Sequence, residues 1–177
     1  MGGYARSVEE DQVDLIVGQW RRERPDVDVS GMSVIARISR LERLIAPRLE
    51  VVFAAHDLES WEFDLMATLR RHGTPFELTP GQLLSSMMIS TGAVTNRIDR
   101  LQERGLVKRV KHPTDGRLVL VRLTARGLKK VDAALVDHAA NERRLIAGLD
   151  DRQREAIVAL LRTLAANIAA DAQPDPT

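Results

Sequence analysis

Basic side chains able to bind an anion are concentrated in the middle of this 177-residue chain. Between Leu78 and Arg126 the sequence has nine lysines and arginines against three acidic residues, a net charge of +6. The whole chain carries +1, which leaves −5 for the remaining residues. A basic segment within an otherwise acidic chain is typical of a surface that binds a polyanion such as nucleic acid. A solvated basic face without a partner would have the same composition.

Few residues are arranged for catalysis or for metal binding. The chain has no cysteine, which excludes a disulfide framework, a thiol nucleophile and a Cys-ligated metal site. The histidines are far apart in the sequence and form no HExxH-type pair: His56, His72, His112 and His138. No nucleophile–base pair or glycine-rich phosphate loop is recognisable. We therefore expect a protein that is not an enzyme and that uses no metal or other cofactor.

The sequence contains no convincing membrane segment. The long uncharged stretch at 78–96 includes Pro80 and two glycines, so it is not a continuous apolar run of about 18 residues. The first residues lack the apolar core of a signal peptide. Hydrophobic residues make up 44% of the chain and charged residues 29%, which is ordinary for a globular protein. We expect a soluble, cytoplasmic protein with no membrane partner.

Two helices are predicted in the first 55 residues or so. An S-x-x-E capping box at Ser7 begins an amphipathic helix that ends before Pro25. Either Ser30 or Ser33 begins a longer helix with an apolar stripe. Pro47 falls inside that stripe and predicts a kink or a break.

Three shorter helices, each preceded by a residue suited to an N-cap, are predicted next: about 61–72, 80–87 and 91–104. Ser60 caps the first of them, which should be mostly buried. Thr79 caps the second and either Ser90 or Thr91 the third, and Gly105 ends the third. The second and third helices are spaced like a helix–turn–helix.

The hydrophobic period changes after Gly105. Two β-prone runs, at 106–111 and 118–123, surround a turn-rich tip and predict a hairpin. Thr124 caps a long helix, Gly148 interrupts it, and a last helix precedes a frayed tail at 173–177. The predicted fold is mainly α with a small β-hairpin (α+β), in the element order of a winged helix–turn–helix. Such a fold places its second helix in the DNA major groove and its hairpin against the adjoining backbone or minor groove.

The predicted recognition helix has two different faces. At about 100° per residue its apolar seam consists of Val94, Ile98 and Leu101. Thr95, Asn96 and Arg100 face outward and are the candidates for contacts to base edges. Ser90 and Thr91 lie at its N-terminus, where amide dipoles favour phosphate. An ordinary exposed polar face is the alternative.

Arg97 lies about 60° from Val94, beside the seam rather than opposite it. A guanidinium there either extends along the surface to water or reaches an anion or carboxylate beneath the helix. A bound anion and a structural ion pair are equally compatible with this geometry.

The wing offers a second set of basic residues. Arg117, beside Asp115 at the tip, can enter a narrow minor groove, and Asp115 would orient it or cap the turn. Lys108, Arg109 and Lys111 on the first strand are candidates for phosphate contacts or for internal salt bridges.

The central sequence resembles the DNA-binding lobe of the MarR family of winged-helix regulators. The residues that carry the resemblance are LTPGQLLSSMMISTGAVTNRIDRLQERGLVKRV followed by HPTDGRLVLVRLTARG. The wing departs from the D-R-R that is frequent in the family, because Gly116 replaces one arginine. The resemblance implies a homodimer that binds a pseudo-palindromic site on double-stranded DNA. It further implies four segments: an extra helix and dimerisation helix at 1–57, the winged lobe at 58–123, C-terminal dimerisation helices at 124–172 and the tail at 173–177.

The extra N-terminal helix is similar to that of the urate-responsive (PecS- and HucR-like) subgroup of the family. This resemblance implies a ligand site formed by Trp20, Asp64, Arg97 and Arg109. It also implies repression that is relieved by a small anion such as urate or a related purine metabolite. Each of these residues also has an alternative role. Trp20 could be a packing residue, Asp64 could interact with its helix dipole, and Arg109 could bind phosphate.

Two other functions remain open at the level of the sequence. A regulator of the same type could respond to a different organic acid or to a phenolic ligand. A winged helix could also serve as a protein–protein interaction module, although the +6 segment argues against it.

Overall fold

The computed structural model describes residues 10–87, 91–115 and 117–171. Predictions for Ser7, Ser90, Gly116, the Thr91 side chain and the tail at 173–177 concern parts outside this description. The chain forms two compact units, one up to Val51 and one from Val52 onward. Among the described residues, no helix combines the length and apolarity needed to cross a membrane.

The elements are numbered in chain order: α1 (Gln12–Glu23), α2 (Met32–Ala55), α3 (Ser60–Arg71), β1 (Glu77–Leu78), α4 (Pro80–Met87), α5 (Thr91–Glu103), β2 (Val107–Lys111), β3 (Val119–Leu123), α6 (Ala125–Leu145) and α7 (Asp151–Asp171). The mainly helical fold with a small antiparallel sheet confirms the predicted winged helix–turn–helix.

The capping box of α1 differs from the one predicted at Ser7. Glu10 is not helical, and the helix begins after Asp11, whose carboxylate accepts the backbone N–H groups of Val13 and Asp14. Asp14 in turn accepts the Asp11 N–H. Arg37 pairs with both carboxylates, at 3.0 and 2.6 Å, and thereby stabilises this cap. The helix ends before Pro25, as predicted.

The break considered at Pro47 does not occur. Helix α2 continues through Pro47 from Met32 to Ala55. Proline removes one N–H donor from a helix, and the loss of this one hydrogen bond does not end α2.

Helix α3 lies at the centre of the second unit. Its predicted burial is confirmed, with Phe63, Leu65, Met66 and Leu69 in the core. The N-cap, however, is Glu59 rather than Ser60, because the Glu62 carboxylate accepts the Glu59 N–H at 2.9 Å and starts the helix there.

The predicted helix–turn–helix is confirmed as α4 and α5. Thr79 caps α4: its hydroxyl accepts the Gln82 N–H at 3.2 Å, and the Gln82 side chain accepts the Thr79 N–H at 2.9 Å. Gly105 ends α5 with a φ of 67°, a conformation that favours glycine.

The wing belongs to a three-stranded sheet rather than to an isolated hairpin. Strands β2 and β3 form the predicted hairpin, with Arg109 opposite Val121. The two-residue strand β1 pairs antiparallel with the other edge of β3, so the strand order is β1-β3-β2. Arg122 and Glu77, opposite each other across this pair, form an ion pair at 2.5 Å.

The start of α6 is packed directly against the turn that follows α5. Thr124 caps α6 by accepting the Gly127 N–H at 3.0 Å, and its own N–H donates to the Leu106 carbonyl at 3.1 Å. A Cβ atom on Gly127 would overlap that carbonyl oxygen. Glycine is therefore required at this position.

We predict that Gly127→Ala lowers the free energy of unfolding by about 3 kcal/mol, the upper part of the usual range for an overpacked core. Urea denaturation followed by far-UV circular dichroism measures this. Gly148→Ala is the control, because a Cβ atom there would meet no atom within 4 Å. An equal loss in both variants would contradict the close approach at Leu106.

Candidate ligand cleft and DNA-facing surface

A cleft of about 460 Å³ opens between α3, α4 and α5. Its size falls in the range usual for small-molecule sites, about 300–1,000 Å³. Its lining consists of Ser60, Trp61, Asp64, Thr68, Arg71, Ser86, Met87 and Arg97. The cleft thus combines an aromatic ring, two guanidinium groups, one carboxylate and three hydroxyls.

Opposite charges meet in this cleft. Partial burial raises the pKa of the Asp64 carboxyl above its ordinary value, and the nearby charge of Arg97 acts in the opposite direction. His138 and Arg71 lower the same pKa more weakly. Asp64 therefore supplies an incompletely hydrated negative charge beside two arginines, a position that an anionic ligand would compete for.

Arg97 occupies the position expected from the helical wheel. It is half-buried at the edge of the α5 seam and lines the cleft together with Asp64. Its guanidinium carbon lies 5.6 Å from the centre of the Trp61 ring, within the range of a cation–π contact. A carboxylate, that of Asp64, lies in the same cleft close enough for its charge to interact with that of Arg97.

Arg109 takes part in a different contact. Its Nη2 lies 2.6 Å from Asp99 Oδ1, and its Nη1 donates to Gln102 Oε1 at 3.0 Å. These bonds tie strand β2 to the exposed side of α5. Trp20 lies on α1 in the other unit, with 47% of its surface exposed. Of the four ligand residues implied by the resemblance, the structure brings together Asp64 and Arg97.

Several cleft residues were not identified from the sequence. Ser60, Trp61, Thr68, Arg71 and Ser86 all line the cleft. The sequence does contain a pattern that includes most of them. One face of helix α3 carries polar residues at helical spacing: Ser60, Asp64, Thr68 and Arg71. A polar stripe on an otherwise buried helix is the signal that could have identified this face as the lining of an open cleft.

The outward face of α5 presents the side chains predicted to meet DNA. The seam residues Val94, Ile98 and Leu101 are buried, whereas Thr95, Asn96 and Arg100 are exposed. Arg100 is already engaged: its Nη2 lies 2.6 Å from Glu59 Oε1.

The wing tip is shaped by hydrogen bonds to its backbone. Asp115 Oδ1 accepts the Arg117 N–H at 3.0 Å, so Asp115 caps the turn, one of its two predicted roles. His112 Nδ1 accepts the Asp115 N–H at 3.2 Å. The Arg117 side chain is exposed, as are those of Lys108 and Lys111.

A buried ion pair fixes the C-terminal end of α5. Arg104 Nη1 lies 2.5 Å from Glu62 Oε2, and the Glu62 side chain is 1% exposed. The second terminal nitrogen of Arg104 donates to the carbonyl and the carboxylate of Asp57. Lys130 of α6 also contacts Asp57, at 3.1 Å, and these two cations lower the pKa of the Asp57 carboxyl. This cluster connects α5, α3 and α6.

The combination of a helix–turn–helix, whose second helix exposes a polar face, and a flanking wing defines a winged-helix DNA-binding protein. A family model described as the MarR family matches residues 56–118. The HTH-type transcriptional regulator PecS of Dickeya dadantii (strain 3937) is 38% identical over 150 residues, which cover 85% of this chain and 90% of PecS. The chain therefore belongs to the MarR family of winged-helix transcriptional regulators.

Solved structures of the family have the same fold. Sco5413 from Streptomyces coelicolor, a MarR family transcriptional regulator, aligns with a TM-score of 0.66 and 26% identity, over 82% of this chain and 99% of that one. A mutant of MarR from E. coli, complexed with operator DNA, aligns with a TM-score of 0.61 and 24% identity, over 74% of this chain and 97% of that one.

We predict that Arg104→Met lowers the free energy of unfolding by about 3 kcal/mol, because it leaves the Glu62 charge buried without its cation. Adding Glu62→Gln should restore more than half of the loss, since a neutral amide is easier to bury. Urea denaturation of both variants measures this. A loss below about 1 kcal/mol in the single variant would instead be typical of an exposed ion pair.

We predict that Asp64→Asn stabilises the protein near neutral pH. A carboxyl whose pKa is raised by folding favours the folded state at low pH, and this advantage is lost as the pH rises and the group ionises. The gain from asparagine should therefore grow as the pH rises through the titration of Asp64. Thermal unfolding at a series of pH values measures it, with Glu103→Gln, an exposed carboxyl of α5, as the control. A pH-independent difference would contradict this linkage.

Proposed function

We propose that this protein is a homodimeric repressor that leaves a pseudo-palindromic operator when urate, or a related purine metabolite, enters the cleft under α5. The observation that carries the proposal is the position of Arg97. Arg97 lines the cleft, while Thr95, Asn96 and Arg100 of the same helix face outward. One rigid element thus borders both the ligand and the DNA.

DNA recognition is supported by the exposed face of α5 and by the charge around it. The segment that contains α5 and the wing carries the +6 net charge. In the cytoplasm, Thr95, Asn96 and Arg100 would contact base edges in the major groove, and Ser90 and Thr91 would contact phosphates. Arg117 would enter the minor groove from the tip that Asp115 caps.

Association into a dimer is supported by unburied apolar side chains at both ends of the chain. Large hydrophobic residues are exposed on α2 and α7: Leu41, Leu44, Ile45, Val51, Ile157, Leu160, Leu161 and Ile168. Extended apolar surfaces of this kind mark an interface in a soluble protein. A two-fold dimer would present two α5 helices to half-sites about 34–36 Å apart.

The cleft is suited to a planar anion. Arg97 and Arg71 would supply charge-assisted hydrogen bonds, and the Trp61 ring a stacking surface. Asp64 would lose its place beside Arg97 to the ligand. The family resemblance adds Trp20 and Arg109 to the proposed ligand contacts. Arg109 would first have to break its ion pair with Asp99.

Displacement of Arg97 would displace α5 as a whole, because the side chain is attached to the helix that reads DNA. A tenfold loss of DNA affinity requires the ligand to prefer the unbound conformation by about 1.4 kcal/mol, within the usual range of allosteric coupling.

A regulator that responds to a different organic acid or to a phenolic ligand is the second candidate. The observation that favours it is the composition of the cleft, since two guanidinium groups beside an indole fit any planar acid. A titration with several acids distinguishes the candidates.

The test is fluorescence anisotropy with a labelled duplex from the intergenic DNA beside the gene, titrated with urate, xanthine and trans-aconitate. We expect Arg100→Ala to weaken specific DNA binding at least tenfold, about 1.4 kcal/mol, while calorimetric urate binding persists. Arg97→Ala should instead abolish the response to urate and leave the fold intact. An equal loss of DNA binding and of urate binding in both variants would contradict the division of roles between Arg97 and Arg100. If urate still fully releases an Asp64→Asn variant from DNA, Asp64 is not part of the ligand site.

A further inference from the structure

Arg100, the outward-facing arginine of α5, is held by two residues at the start of α3. Its Nη2 lies 2.6 Å from Glu59 Oε1, and its guanidinium carbon lies 4.7 Å from the centre of the Trp61 ring. The Trp61 indole N–H donates to the other Glu59 oxygen at 2.7 Å. Glu59, Trp61 and Arg100 thus form a closed set of three contacts, referred to below as the Arg100 clamp.

The carboxylate of the clamp is a permanent competitor for the guanidinium. The Trp61 N–H and the Arg100 charge lower the pKa of Glu59 below its ordinary value, so the group stays ionised near neutral pH. An ionised carboxylate uses the same N–H donors that a phosphate or a guanine edge would use. The side chains of Glu59 and Arg100 are both about half exposed, which keeps the pair weak enough to exchange.

The clamp also shares a residue with the cleft. Trp61 lines the cleft, and its ring lies near Arg97 as well as Arg100. A ligand that packs against the indole would therefore change the surface on which Arg100 rests. This connection does not require α5 itself to move.

We propose that Glu59 competes with DNA for Arg100, and that Trp61 makes this competition depend on the occupancy of the cleft. The inference rests on the proposed contact of Arg100 with DNA. In the free protein Glu59 and Trp61 hold the side chain back, DNA displaces it from the clamp, and a ligand against Trp61 stabilises the clamped position. Glu59 and Trp61 are thus positioning residues that set both the affinity for DNA and part of the response to ligand.

The test compares full-length Glu59→Gln with Glu103→Gln, which makes the same change of charge on the exposed surface of α5. The probe is the intergenic duplex, with and without saturating urate. We expect Glu59→Gln to bind about three- to fivefold more tightly than Glu103→Gln, the upper part of the range for an exposed ion pair. Urate should also weaken the DNA binding of Glu59→Gln about three- to fivefold less than it weakens that of Glu103→Gln.

A double-mutant cycle assigns the gain to Arg100. In an Arg100→Ala background, Glu59→Gln should change the DNA affinity no more than Glu103→Gln does, because Glu59 then has no arginine to hold back from DNA. An equal gain in the control variant, or a gain that persists without Arg100, would overturn the inference and leave the proposed function intact. Unchanged DNA binding by Arg100→Ala alone would refute both the inference and the contact on which it rests.

A spectroscopic measurement covers the case in which Glu59→Gln destabilises α3. The chain has two tryptophans, so in a Trp20→Phe variant the emission reports on Trp61 alone. At duplex concentrations that anisotropy shows to saturate both variants, DNA should change this emission as Arg100 leaves the ring, and the change should be absent in the Trp20→Phe/Arg100→Ala variant. Identical responses with and without Arg100 would show that the clamp stays closed on DNA.

Discussion

The burial of one seam of α5 is the constraint on which the rest of this structure depends. Val94, Ile98 and Leu101 must face the core, and this fixes the rotation of the helix about its axis. With the rotation fixed, the polar side chains of α5 point away from the core and Arg97 reaches the cleft at its edge. The burial of this seam thereby determines which side chains of α5 are exposed and which one lines the cleft.

The arginines of this lobe differ in how firmly they are held. Arg104 binds the buried carboxylate of Glu62 and anchors the end of α5, an arrangement that is costly to break. Arg100 and Arg109 form pairs with Glu59 and Asp99 whose side chains are partly exposed to solvent. Water screens these pairs, so their arginines can exchange one anion for another. Rigid and exchangeable contacts are therefore placed on the same helix.

Local signals gave accurate predictions where the responsible residues are neighbours in sequence. The cap at Thr79, the glycine at Gly105 and the cap at Thr124 are short-range features, and each one marks the boundary that was expected. The two N-caps that were misplaced, at α1 and α3, involve a choice between polar residues within about one helical turn of each other. Arg37, distant in sequence, pairs with the α1 carboxylates and favours Asp11 as the cap.

The sequence by itself determined the order of the elements, the buried seam of α5 and the half-buried position of Arg97, because periodicity and capping are local properties of the chain. Only the tertiary structure decided that Glu77 and Leu78 form a third strand, that Arg109 pairs with Asp99, and that Glu59 and Trp61 hold Arg100. These contacts join residues from separate elements, and each arginine had several carboxylates available to it. The packing of α3 against α5 selects the partner of Arg100, the packing of β2 against α5 selects that of Arg109, and no spacing within a single element encodes either choice.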